Sequence, residues 1–587
     1  MKQYLFLLLI AAMSVRGAAA VDRDAFTFTR YRLDVQIDRP SHVIAITGQV
    51  SMRNDSKTPQ KYVCLQVSSS LEWNGIAFQG QPVEWIGNQY TTDIDKTGAV
   101  AEAIATLPAA VAPGGTVVLD IQYGGTITRD ATRLTRMGAP EEVALRNDWD
   151  QISPAFTALR GLGHVVWYPV SIPAVSMSDG STVFSAIDEW NARHSSTQFD
   201  ADIQVMSEDV KLCIAGTAAT SKCGDLSQAT DPQTNETTNE ITNRIHLSGL
   251  NRVTPAFAIA AYEHLDQPGM MFYYVAESTS TARDFALAAE LNVPVLNDWL
   301  SPATDSTVLI ELTDPNAAPY QDGQFLFTPF RQAPDATLIA LMMPAQVAAR
   351  FRSPRGWIDG GLQRFFQAVA LERRTGRNSA IQFLGEYLPA LREAEKPSDN
   401  ESSSNSGKNA AGDSLLSTSD EIRLRGKGAY VFWMLRDMLG DAALQKALVA
   451  YRPDSDQNPV YLQGLLEEGK KRDLEWLFDD WVYRDRGLPS FQVSNVYARP
   501  IVENPNHLNL VTVTVENQGG AGAEIPVMIQ SASGERTIRL LVPAHQKASA
   551  RSEIPGAPTK VVANDGSVPT VSEPEVTFEV TASQRKN

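Results

Sequence analysis

The chain has 587 residues, 43% of them apolar, a net charge of −17 and a pI near 5.0. That length exceeds what a single hydrophobic core supports and points to roughly three to four domains. The acidic balance speaks against a nucleic-acid partner, because such a surface repels phosphate backbones.

Residues 1–20 hold Lys2, a short apolar run from Tyr4 to Val15, and then Ala18-Ala19-Ala20. This reads as a secretory signal peptide cut after Ala20, which implies a periplasmic or secreted protein. A membrane anchor needs ~20 apolar residues, more than this run offers. No later stretch is long and apolar enough to span a bilayer. In an exported chain Cys213 and Cys223, at the ends of LCIAGTAATSKC, are expected to form a disulfide. Cys64, in YVCLQV, reads as a buried free thiol.

From Tyr31 the apolar residues alternate (Leu33, Val35, Ile37), and similar strands are expected through Val117–Ile121 and Val165–Val170 to about Ile245. Residues 21–255 therefore read as a large antiparallel β domain. From about 256 the pattern turns to helices with short strands. Ala282–Leu291, Thr337–Phe351, Ile358–Arg374 and Gly426–Leu439 have helical spacing, while Val308–Leu312 and Phe325–Phe330 look like strands. Pro344 should kink its helix. Residues 397–414, PSDNESSSNSGKNAAGDS, are nearly free of apolar side chains and read as a disordered surface loop. Alternation returns near Gln492, so 490–587 reads as a small β-sandwich.

Residues 341–367, LMMPAQVAARFRSPRGWIDGGLQRFFQ, run without a gap along the pattern H-E-x-x-H-Q-W-F-G-x-x-x-x-P-x-x-W-x-D-x-W-L-N-E-G-F. Gln346, Pro354, Trp357, Asp359, Leu362 and Phe366 fall in register. Further matches are Y-R-L-x-V-x-I-D at 31–38, Trp167-Tyr168-Pro169, Lys427-Gly428-Ala429 and Arg486-Gly487-Leu488-Pro489. Their order resembles the aminopeptidase N family of zinc peptidases. The resemblance spans essentially the whole mature chain. It implies a multidomain α+β protein: a saddle-like antiparallel β domain (21–255), a thermolysin-like α/β domain (256–489) and an immunoglobulin-like β-sandwich (490–587).

The same resemblance implies that the chemistry is gone. The two ligand histidines fall on Leu341 and Ala345, the general-base glutamate on Met342 and the distal ligand glutamate on Arg364. The tyrosine that steadies the tetrahedral intermediate falls on Arg425. The glutamate that holds the substrate amine falls on Tyr320. A catalytic zinc needs three protein donors and an open position. Leucine and alanine offer no donor, methionine is a poor zinc ligand, and arginine sets a permanent positive charge where the cation would sit. No zinc or other cofactor is expected.

The acidic residues Asp473, Glu475, Asp479 and Asp480 lie with Arg484 and Arg486 and read as a solvated face. No serine sits in a G-x-S-x-G elbow. Two readings stay open. One is an inactive peptidase that uses the inherited cleft for a peptide or protein ligand, or serves as a scaffold. The other is an active metallo-aminopeptidase or peptide hydrolase with an unorthodox site. Arg364 and Arg425 either converge to clamp an anion or each pair with a nearby acid.

Overall fold

The first strand shows how the sequence pattern becomes structure. In β1 (Phe26–Asp38), Tyr31, Leu33, Val35 and Ile37 are buried while Arg32, Asp34, Gln36 and Asp38 face solvent. The computed structural model describes residues 21–179, 182–206, 213–217, 226–230, 237–250, 252–394, 414–470, 472–501 and 508–581. The segment expected to be a signal peptide, Cys223 with the disulfide expected of it, and the loop expected at 397–414 (save Ser414) lie outside these residues. Cys64 is free and buried, with its Sγ 3.2 Å from Glu102 Oε2. Among the described residues no helix is long and apolar enough to cross a membrane.

β1 lies inside an eight-stranded sheet, antiparallel to β2 (Val43–Asn54) and parallel to β3 (Gln198–Met206). The sheet is mixed, which corrects the expectation of a purely antiparallel domain. Alternation fixes which face is buried but carries no information on strand direction. A three-stranded sheet (Gln60–Ser68, Trp85–Thr91 and Ala99–Val111) shares its core.

The run Val165–Val170 departs from expectation too. It forms only isolated bridges, from Val165 to Gly161 and from Val170 to Gln66. Its buried backbone is satisfied by side chains instead: Tyr123 donates to the Trp167 carbonyl at 3.0 Å and Tyr31 to that of Pro169 at 2.7 Å. Trp167 in turn donates from Nε1 to Pro255 at 3.0 Å, pinning the start of the next segment.

That segment leads through β4 (Phe257–Ala260) into a five-stranded sheet. Its order is β5 (Tyr262–Gln267), β6 (Met270–Val275), β7 (Thr307–Glu311), β9 (Phe325–Thr328) and, at the edge, β8 (Tyr320–Asp322). β6, β7 and β9 run parallel, and both edge pairings are antiparallel. A separate apolar cluster, including Trp149, Phe156, Tyr262, Ile310 and Phe327, joins this sheet to the β region before it.

Helices cover the sheet. α1 (Thr279–Glu290) precedes α2 (Asp335–Ala348) and α3 (Gly356–Thr375), which pack together, and α4 (Gly428–Leu439) packs on α3. α2 runs through Pro344 without interruption. Proline removes the N–H that would bond the carbonyl of Ala340, and Gln367 Nε2 on α3 supplies a replacement donor at 2.6 Å. α3 and α4 meet at Gly361 and Gly428. A Cβ on Gly361 would lie 2.8 Å from the Gly428 carbonyl carbon, and one on Gly428 would lie 2.7 Å from the Trp357 oxygen.

The C-terminal strands form two packed sheets. One holds Phe491–Pro500, Leu508–Asn517 and Lys547–Pro555; the other holds Gly534–Val542, Ala523–Ser531, Pro558–Ala563 and Val576–Glu579. Their core is continuous with that of the helices. Asp480 accepts from the Gly522 N–H and Trp481 donates to the Gly522 carbonyl, both at 2.8 Å. Asp479 and Asp480 are also ion-paired with Arg484 and Arg486, so this acidic face anchors the sandwich.

The Gly361–Gly428 contact is a point of failure that can be measured. Gly361→Val forces α3 and α4 apart and should cost about 3 kcal/mol, seen as a lower denaturation midpoint. An unchanged midpoint would mean the two helices do not touch there.

Candidate functional site

The motif positions sit on α2 and α3. Met342 and Ala345 are fully buried, and Leu341 packs half-buried against the same core. Gln346 is held by Asn292, whose Nδ2 donates to its Oε1 at 2.6 Å, and itself donates to the Ala289 carbonyl at 3.0 Å. It locks α2 onto α1. The face that would carry two imidazoles is therefore a packing surface.

Arg364 projects from α3 toward Phe383 and Glu386. Its Nη2 donates to the Phe383 carbonyl at 2.7 Å and to Glu386 at 2.5 Å, and its guanidinium lies 3.3 Å over the Phe383 ring. Arg425 donates to Glu421 one turn earlier, and its stem lies against Gly360. Each guanidinium has its own acid. Of the two arrangements open from the sequence, internal pairing is the one present here.

Tyr320 lies on the edge strand β8. Beneath it Arg160 is paired through two nitrogens with Asp150 (3.0 and 2.6 Å), stacks 3.9 Å from Trp149, and lies 5.3 Å from the Tyr320 ring. The His164 ring meets Tyr320 edge-on at 5.2 Å, and burial together with Arg160 pushes its imidazole pKa well down. Burial, with Asp322 nearby, pushes the Tyr320 phenol well up. At the position where the resemblance expects an amine-holding carboxylate, the fold offers a phenol backed by an arginine.

Zinc does not fit this donor set. Leu341 and Ala345 have nothing to ligate with, and Arg364 brings its own charge and is already committed. Among the described residues no group of three His, Cys, Asp or Glu side chains is arranged to hold a metal ion.

The seam between α2 and α3 nevertheless opens into a cavity of about 210 Å³. It is bounded by the end of α2, the start of α3, Gln321–Gly323 and the turn carrying Glu421 and Arg425. Asp322 and Asp359 both line it, and both carboxyl pKa values are pushed up to about 6. Burial is the dominant cause at each. At Asp322 it outweighs the Thr254 N–H bond of 2.6 Å and the charge of Arg352. At Asp359 it outweighs the Ser353 N–H and Arg352, Arg252 and Arg425. Gln363 Nε2 donates to Asp359 at 3.3 Å, while its own Oε1 is buried without a partner. The cavity therefore offers two carboxyls that change charge in mild acid beside the guanidinium groups of Arg252, Arg352 and Arg425. In the sequence Asp359 is visible only as a register mark, and Asp322, two residues after Tyr320 in an Asp-Gly turn, carries no signal of its own.

No family model matches the sequence, and no curated protein matches it. Solved structures do. The crystal structure of an M1 zinc metallopeptidase from Deinococcus radiodurans matches at 15% identity and a TM-score of 0.47, covering 78% of this chain and 94% of that one. A mutant of the same enzyme bound to a Tyr-Ser-Ala substrate matches at 15% identity and a TM-score of 0.46, with 78% and 94% covered. Likeness at this level does not reach the chemistry of a site.

The raised carboxyls have a consequence for stability. A carboxyl with a folded pKa near 6 against an ordinary value of 3.8 binds its proton more tightly in the folded state. Its contribution is complete below pH 3.8 and is lost as pH rises through 6. The Asp322→Asn/Asp359→Asn double variant should therefore gain midpoint relative to the parent on going from pH 4.5 to pH 7.5. Parallel midpoint profiles for the two proteins would show that these carboxyls titrate normally.

Proposed function

We propose that this chain is an exported protein of aminopeptidase N-like build that has lost hydrolysis and binds a peptide or protein ligand in the former active-site cleft. In this reading the first β region is the saddle domain, the sheet and helices from 256 are the thermolysin-like domain, and the C-terminal sheets are the immunoglobulin-like sandwich. One observation carries the loss of catalysis. The positions that would have to present two imidazoles, a base and a distal carboxylate are Leu341, Ala345, Met342 and Arg364. Met342 and Ala345 are closed into the apolar core, and Arg364 is bound to Glu386. A zinc-bound water has nowhere to form, and a substrate amine reaching the edge strand would meet Tyr320 and Arg160. The cavity at the α2–α3 seam supports a retained binding role.

Elemental analysis of the purified protein, paired with aminopeptidase assays with and without a strong chelator, tests this directly. Well under one zinc per chain and no chelator-sensitive turnover are expected. One zinc per chain with hydrolysis that a chelator abolishes would overturn the proposal. Rewriting Leu341→His, Met342→Glu and Ala345→His should not restore activity, because Arg364 still leaves the distal position without a carboxylate ligand. Burying those polar groups should instead destabilise the protein, by about 2 kcal/mol or more.

A further inference from the structure

On the other side of Arg352 lies a second, larger cavity of about 780 Å³. It forms where the chain leaving α2 meets the stretch before β7 and the loop around Tyr451–Gln457. Four arginines line it: Arg252, Arg350, Arg352 and Arg452. Arg350 and Arg352 follow the end of α2, whereas Arg252 and Arg452 come from distant parts of the chain.

Their bonding sets them apart. Arginines in the neighbouring core are paired with carboxylates, as in Arg355–Asp456, Arg377–Asp437, Arg436–Glu372 and Arg472–Glu524. Three around this cavity are not. Arg350 Nη1 donates to Asn297 Oδ1 at 2.7 Å, Arg352 bonds Gln324 Oε1 and the Ala348 carbonyl, and Arg452 Nη1 bonds the Val449 and Tyr451 carbonyls at 2.7 and 2.8 Å. None of the three has an ion pair among the described residues. Arg252 reaches only Asp188, at 3.6 Å. Burial pulls the Arg350 pKa down, with no carboxylate to offset it.

The acids at the cavity do not fill the gap. Asp456 is committed to Arg355 and to the Tyr451 hydroxyl, and Asp305 and Asp454 are exposed at the rim. Arg350, Arg352 and the exposed Arg452 line one concave wall without an ion pair among the described residues, although the charge of Arg352 also reaches Asp322 and Asp359. An anion entering the cavity therefore meets guanidinium donors that no carboxylate holds. The wall also carries apolar surface from Leu300, Phe351 and Leu448, set among polar residues such as Ser301, Thr304 and Gln457. An inorganic ion would leave that surface unused.

We propose that this cavity binds a carboxylate borne on an apolar body, with Arg350, Arg352 and Arg452 receiving the anion. Two sources share that chemistry, the C-terminal residue of an apolar peptide and a medium-chain fatty acid. The site is distinct from the cavity of Asp322 and Asp359 in its unmet groups, and it does not depend on whether the chain hydrolyses peptides.

Calorimetry on the full-length mature protein tests it with three probes: acetyl-Ala-Leu-Leu with a free carboxylate, the same peptide as its C-terminal amide, and decanoate. Binding of the free-acid peptide with at least tenfold loss for the amide supports the peptide source, and binding of decanoate alone supports the fatty-acid source. In either case Arg350→Gln/Arg452→Gln should weaken the bound probe at least tenfold, while Arg374→Gln, at an exposed position on α3, should not. Removing cations that lack acid partners should leave the double variant's melting temperature near the parent's, which separates lost binding from misfolding. If neither anionic probe binds, or if a folded double variant keeps its affinity, the proposal fails.

Discussion

The seam between α2 and α3 is the constraint on which the rest of this molecule depends. Pro344 takes a hydrogen bond out of α2, and Gln367 on α3 returns one to the stranded Ala340 carbonyl. On its other face α3 sits so close to α4 that only glycine fits at Gly361 and Gly428. Gln346 then fastens α2 to α1. These contacts fix where both cavities open, because each uses the C-terminal end of α2 as a wall.

A helix face built for zinc would bury polar groups whose desolvation the metal offsets. Here the same face carries Leu341, Met342 and Ala345, which need no partner and join the apolar core. Arg364 remains polar, and the fold accommodates it by turning it toward a carbonyl, a carboxylate and an aromatic ring. Its Nε is still buried without a partner, so the accommodation is incomplete.

The distribution of charge around the seam is uneven in a way that net charge conceals. One cavity holds two carboxyls with raised pKa values beside Arg252, Arg352 and Arg425, and the next is lined by Arg350, Arg352 and Arg452, which have no ion pair among the described residues. Arg252 and Arg352 contribute to both walls. In the turn between them Arg355 is spent on Asp456 and Ser353 on Tyr451. Groups left unsatisfied at a concave surface are where binding energy is available.

Local pattern along the chain determined most classes of element and which positions carry no metal donor. Period-two alternation in β1 and helical spacing in α3 and α4 are local properties, dictated by which face must leave water. The absence of donors at Leu341 and Ala345 is a matter of composition that no fold can reverse. Tertiary structure alone decided three further things. The parallel pairing of β1 with β3 and the non-strand course of Val165–Val170 follow from long-range partners such as Tyr31 and Tyr123. The acid taken by Arg364 was set by which helices face each other, whereas Arg425 meets Glu421 one turn away in its own segment. The gathering of Asp322 with Asp359, and of Arg350 and Arg352 with Arg452, could not be read from segments far apart in the chain. Spacing along a sequence encodes only neighbours within one element, whereas burial, charge pairing and pKa depend on what other elements bring to the same place.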